Sequence, residues 1–214
     1  MKTIADIIYQ ISTSLLLPVL VSLVVLLSCT LFALGSLLGE WLSRRRHHAC
    51  WQKLLATARV QRIEALTLTG PVRDYSWIVP LLPRALDNDD ATAVFREKCL
   101  AEMEVRATGR LAWMNFGIRT GPLLGLMGTL IPMGPALVGL SDGSFQSVSE
   151  NLVIAFATTV IGVLIGALCY GMWLIRRQWY GQDLVDAQFL IGQCIERQLS
   201  AVNDGEVTSG NAYA

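Results

Sequence analysis

An all-α integral membrane protein with three transmembrane helices is the fold class this sequence predicts, and three observations lead to it. Of the 214 residues, 53% are hydrophobic and only 16% charged, with a mean hydropathy of +0.47, far from the balance of an ordinary soluble domain. Three stretches, 7–39, 120–141 and 151–175, contain no Asp, Glu, Lys or Arg, and each is long enough for the roughly 20 residues a bilayer crossing needs. The basic residues gather beside the ends of these stretches on one side of the chain's path, as the asymmetry of loop charge in membrane proteins requires.

The first span is placed at 14–40, dense in Leu and Val, after an amphipathic segment 1–13. Lys2 precedes the run, and Leu26-Leu27-Ser28-Cys29 resembles a lipoprotein cleavage box. A secretory apolar core is nevertheless only about 7 to 15 residues long, so an uncleaved span is expected. The second span is placed at 112–140 and the third at 151–175, and in lipid all three must be helices because the backbone has to satisfy its own hydrogen bonds. Pro132 and Pro135 fall inside the second, where each removes a backbone donor and crowds the preceding turn, so a kink is expected there.

Charge placement orients the chain. Span one is followed by Arg44, Arg45, Arg46, His47 and His48, the uncharged run of span two is preceded by Arg106, Arg110 and Arg119, and span three is followed by Arg176 and Arg177, while the loop 141–150 carries no basic residue. This places the N-terminus and loop 141–150 on the periplasmic side, and 41–111 and the C-terminal segment in the cytoplasm of a bacterial or archaeal inner membrane. The basic cluster 44–48 is expected to act as a topology anchor touching anionic headgroups.

The inner segments carry helical patterns of their own. Asp87, Asn88, Asp89 and Asp90 offer N-caps ahead of an amphipathic rhythm through Phe95, Leu100, Met103 and Val105 that runs into span two. Gly70-Pro71, Pro80 and Pro83 mark turns before it. Residues 176–202 continue span three as a cytoplasmic helix, so helices two and three extend into the cytoplasm, and 203–214 is expected to be a disordered polar tail.

Several function classes drop out. Net charge is +0 from 17 basic and 17 acidic residues, giving no global pull towards nucleic acid. The five cysteines are scattered singly and only two histidines exist, so neither a zinc site nor a disulfide framework is expected. Phosphate loops and nucleophile elbows are missing; no enzyme, cofactor or metal is expected.

What remains is a pattern of small residues. Gly117, Gly121, Gly125, Gly128 and Thr129 recur at three- and four-residue spacing in span two, and Ala155, Thr159, Gly162 and Gly166 do so in span three, with Thr158 beside them. Such stripes let neighbouring helices approach closely, and on periodicity alone they fit either simple packing or the wall of a pore.

The run GPLLGLMGT, Gly121 to Thr129, resembles the second-span motif of the MotA/TolQ/ExbB proton-channel family, and ATTVIG, Ala157 to Gly162, resembles its third-span core. The resemblance implies a homopentamer whose second and third helices enclose a pore. That pore would hold the spans of an ExbD/TolR/MotB-like single-span partner dimer, with a TonB-like transducer as a further partner. It also implies that Thr129, Thr158 and Thr159 line the channel and that Gly121, Gly125, Gly128, Gly162 and Gly166 pack its wall. The family's glutamate one turn before the third-span threonines is replaced by Ile154, and the nearest acid is Glu150, which fits either the periplasmic mouth or a helix N-terminus. Pro132 and Pro135 stand where the family has a Trp/Gly-rich continuation, so an ExbB/TolQ-like divergent member is indicated. With no Asp, Glu, Lys, Arg or His inside the uncharged runs 7–39, 120–141 and 151–175, any proton-carrying acid must come from the partner. The work expected is energising outer-membrane uptake; a scaffolding membrane oligomer without ion conduction is the alternative.

Overall fold

The computed structural model describes the backbone of residues 4, 7, 10, 11, 13–58, 75–82, 93–141 and 143–210, and the side chains of these other than 58, 93, 147 and 194–210. Apart from the single residues Ser76 and Ser144, everything described is helix or turn. Helix α1 spans Leu16–Ala58, a 3-10 turn covers Val79–Leu81, α2 spans Ala93–Ser141 and α3 spans Phe145–Gly210. All three α-helices are long and apolar enough to cross a membrane. The cap candidates 87–90, the Gly70-Pro71 turn and Pro83 lie outside the described residues.

Each helix outlasts its uncharged run. Once a helix is nucleated, each added residue gains a backbone bond at little further cost, so α3 continues past residue 203 to Gly210, where the sequence suggested a disordered tail. Helix α2 is likewise unbroken although Pro122, Pro132 and Pro135 lie within it. By the missing N–H, these prolines leave the carbonyls of Ile118, Gly128 and Ile131 without their ordinary donors one turn on.

Between α2 and α3 the chain reverses at Gly143, whose φ is +74°. The Ser144 N–H donates to Gly139 O at 2.8 Å and the Gly143 N–H to Leu140 O at 3.2 Å. This is the paired 6→1 and 5→2 bonding that closes a helix through a left-handed residue, and glycine adopts it without strain.

The chain divides into two compact units, one of residues 1–37 and 111–175 and the other of 38–110 and 176–214. The first gathers the uncharged runs. On α1 its buried positions are Val19, Leu23, Thr30 and Leu37, and the Thr30 hydroxyl, bonded to Leu26 O at 2.7 Å, lies 3.7 Å from Cys169 Sγ on α3.

The second unit has a conventional core. Trp51, Tyr75, Ile78, Val79, Leu82, Met103, Ala187, Leu190 and Ile191 form one buried cluster, with Trp51 stacked on Tyr75 at 5.0 Å. A large apolar side chain buried from water contributes roughly 1.5 to 3 kcal/mol. Beside this cluster lies a buried charge pair. Arg44 of α1 donates to both oxygens of Asp183 of α3, at 2.9 and 2.5 Å, and Ser76 donates to the same carboxylate. Glu40 lies 3.4 Å from Arg44 and 3.2 Å from Arg176, and Trp51 Nε1 donates to Asp186 at 2.7 Å. Burial opposes the charge on Arg44, yet the bond and charge of Asp183, helped by Glu40, hold its pKa above the ordinary value. Burial raises Asp186, and the Trp51 bond only partly offsets this.

Arg44 is thus no exposed headgroup anchor, as its place in a basic cluster suggested; it is 8% exposed because its carboxylate partner sits 139 residues away in the chain. Removing one member of a buried pair strands the other charge. Asp183→Asn is therefore expected to cost about 3 kcal/mol and lower the melting temperature of the detergent-purified protein. Arg44→Met with Asp183→Leu should recover most of the loss, and an unchanged melting curve for the single variant would contradict this role.

Candidate channel wall formed by α2 and α3

The glycine stripe of α2 faces the small residues of α3 in the first unit. A Cβ added at Gly162 would sit 2.6 Å from Gly121 O and 2.8 Å from Gly125 Cα, and one at Gly121 would sit 2.9 Å from Gly162 O. The contact is therefore backbone against backbone. Further along, a Cβ on Gly128 would meet Thr158 Cβ and Oγ1 at 2.6 Å, one on Gly166 would meet Pro122 Cγ at 2.9 Å, and one on Gly117 would meet Cys169 Sγ at 2.5 Å. All five glycines singled out from the motifs, Gly121, Gly125, Gly128, Gly162 and Gly166, lie in this one interface, with Gly117 extending it.

The threonines divide. Thr158 is 4% exposed, packs against Gly128 and donates to Ala155 O at 2.8 Å. It is enclosed within a single chain, and assembly can only bury it further. The buried stripe of α3 runs through Ala155, Thr158, Gly162, Ile165, Gly166 and Cys169; Thr159, which spacing placed on it, stands at its margin, half-buried, its Cα beside Gly125. Thr129 is half-buried as well, one turn beyond Gly125.

Each hydroxyl uses its proton locally: Thr129 donates to Leu126 O at 2.7 Å and Thr159 to Ala155 O at 3.3 Å. A threonine so bonded keeps its oxygen lone pairs free, so towards a neighbour it is an acceptor, matched to water or to a protonated carboxyl. Pro132 is buried, Pro135 half-buried. Glu150 is exposed near the start of α3, with Gln146 donating to it at 3.3 Å. Among the described residues no group of His, Cys, Asp or Glu could hold a metal.

Because backbone atoms cannot step aside as a side-chain tip can, Gly162→Ala is expected to force the helices apart at a cost of roughly 1 to 3 kcal/mol. Gly171, with nothing within 4 Å of an added Cβ, supplies the control, since Gly171→Ala should gain up to about 1 kcal/mol of helix propensity. Thermal unfolding in detergent distinguishes them, and equal behaviour of the two variants would refute the close approach.

No curated protein matches the chain. Residues 79–178 match the MotA/TolQ/ExbB proton channel family, a class of membrane channels and not of enzymes. The matched region contains both glycine motifs and the whole α2–α3 contact just described, and the three apolar helices make the chain a multi-pass membrane protein. Over residues 79–178, which hold this contact, the chain is similar to the MotA/TolQ/ExbB proton channel family.

Proposed function

We propose that this chain is the proton-channel, stator-like subunit of an ion-driven inner-membrane motor. Five copies would surround an ExbD/MotB-like partner dimer and convert proton-motive force into mechanical work in the envelope, energising outer-membrane uptake. In this reading the N-terminus and the α2–α3 turn lie outside and the C-terminal part of α3 lies in the cytoplasm, following the placement of Arg and Lys.

The observation that carries the reading is the division of the threonines. Close glycine packing buries Thr158 and leaves Thr129 and Thr159 at the edges of the α2–α3 contact, each with its proton already donated to backbone. Both then offer acceptor lone pairs and no titrating group. A carboxylic acid on the partner would be bound there when protonated, through its O–H, and released when ionised, because a carboxylate has no proton to donate. The carbonyls of Gly128 and Ile131, deprived of donors by Pro132 and Pro135, add polar groups that water on the same path would satisfy. The channel-lining residues proposed are thus Thr129 and Thr159, with Thr158 assigned to packing.

A scaffolding oligomer without conduction is the second reading, favoured by the fact that these hydroxyls are already satisfied by their own helices. It predicts that no small single-span protein co-purifies with the chain.

Thr159→Val keeps size and removes the acceptor. Proton flux through the intact complex is expected to fall about tenfold, the equivalent of one lost hydrogen bond of about 1.4 kcal/mol, while Thr158→Val leaves flux within about twofold. Full flux through the Thr159 variant would overturn the pore assignment.

A further inference from the structure

A cleft of about 430 Å³ in the second unit opens between α1 and α3, lined by Trp41, Arg45 and His48 of α1, Trp179 and Gln182 of α3, and Tyr75, with Arg44 at its base. Its size is in the range of sites that hold a small ligand. No carboxylate is among its described lining residues, although three acids lie close behind it. Asp183 is engaged by Arg44 and Ser76, Glu40 by Arg44 and Arg176, and Asp186 by Trp51.

Arg44 is committed. Its guanidinium is bonded to Asp183 and lies 5.1 Å from the Trp179 ring and 5.5 Å from the Tyr75 ring. Arg45 is not. It is exposed, and its only described contact is with the face of Trp41, 4.2 Å from guanidinium carbon to ring centre. A guanidinium seated over a ring face still has N–H groups at its edge to offer a phosphate as a planar pair of bonds. His48, one turn below Arg44, and Gln182 add donors on the neighbouring walls.

The position says which phosphate. Trp41 and Arg45 follow at once on the uncharged run that ends at residue 39, so the cleft stands where an apolar span gives way to polar chain, the level of lipid headgroups. Half-exposed tryptophan is characteristic of that level, and Trp41 is 36% exposed.

We propose that this cleft is a binding site for the phosphate of one anionic phospholipid headgroup per chain, gripped by Arg45 on its Trp41 platform, with Arg44 withheld by Asp183 as a structural cation. The site is separate from the α2–α3 contact and does not depend on proton conduction.

Native mass spectrometry of the full chain in detergent tests it, with phosphatidylglycerol, phosphatidylcholine or inorganic phosphate added. One phosphatidylglycerol per chain is expected to be retained in preference to phosphatidylcholine, and inorganic phosphate in excess should not displace it. Arg45→Gln, at an exposed position that leaves the fold intact, should weaken retention about fivefold, the effect of removing one cation at a membrane surface. Arg46→Gln removes an exposed cation outside the cleft and should change retention by less than about twofold on the same scale. Equal losses in the two variants would mean a diffuse basic surface and no site. Equal retention of phosphatidylcholine, or full displacement by inorganic phosphate, would overturn the lipid assignment.

Discussion

The close approach of two backbones, Gly121 and Gly125 of α2 against Gly162 of α3, is the contact on which the rest of the membrane part depends. In lipid, apolar side chains gain nothing by leaving hydrocarbon for one another, so helices are held by dispersion between well-fitted surfaces. Glycine allows the helix surfaces themselves to meet. That approach encloses Thr158 and Cys169 and leaves Thr129 and Thr159 at the edge, so the polarity available along the two helices is decided by packing. A larger residue at any of these glycines would alter the polar pattern as well as the spacing.

The other unit is held by different forces. Its cluster of Trp51, Tyr75, Ile78 and Leu82 with the Ala187–Ile191 face of α3 is the ordinary burial of apolar surface from water. The Arg44–Asp183 pair within it contributes less by its attraction than by the cost of separating it, because each charge buried alone would be far worse than the two together. It ties α1 to α3 in one register, and Ser76 brings the chain ahead of the 3-10 turn to the same carboxylate. Trp77 packs edge-on to Tyr180 and beneath Arg110, adding α2 to the arrangement.

Legibility in the sequence follows the range of the interaction. The three apolar helices could be read because an uncharged run is a local property, and the glycine stripes because helical spacing is local too. Which threonine sits in the interface could not be settled that way: Thr158 and Thr159 are adjacent, one residue turns a helix by about 100°, and the partner helix chooses between them. The Arg44–Asp183 and Trp51–Asp186 contacts, 139 and 135 residues apart, leave no local mark, and a run of basic residues hid the one that is buried. Gly143 was legible in principle, as a glycine following a long helix, yet its capping role depends on a positive φ that only the turn itself reveals.

If α2 and α3 form one wall of a proton path and contribute no titrating group to it, the moving acid must belong to a second protein. Proton flux into liposomes carrying this chain alone, compared with liposomes carrying it together with an ExbD/MotB-like single-span protein, tests this directly. Flux is expected only in the second case, and to disappear when the acidic residue in that protein's span is replaced by its amide. Flux through the chain alone would contradict it.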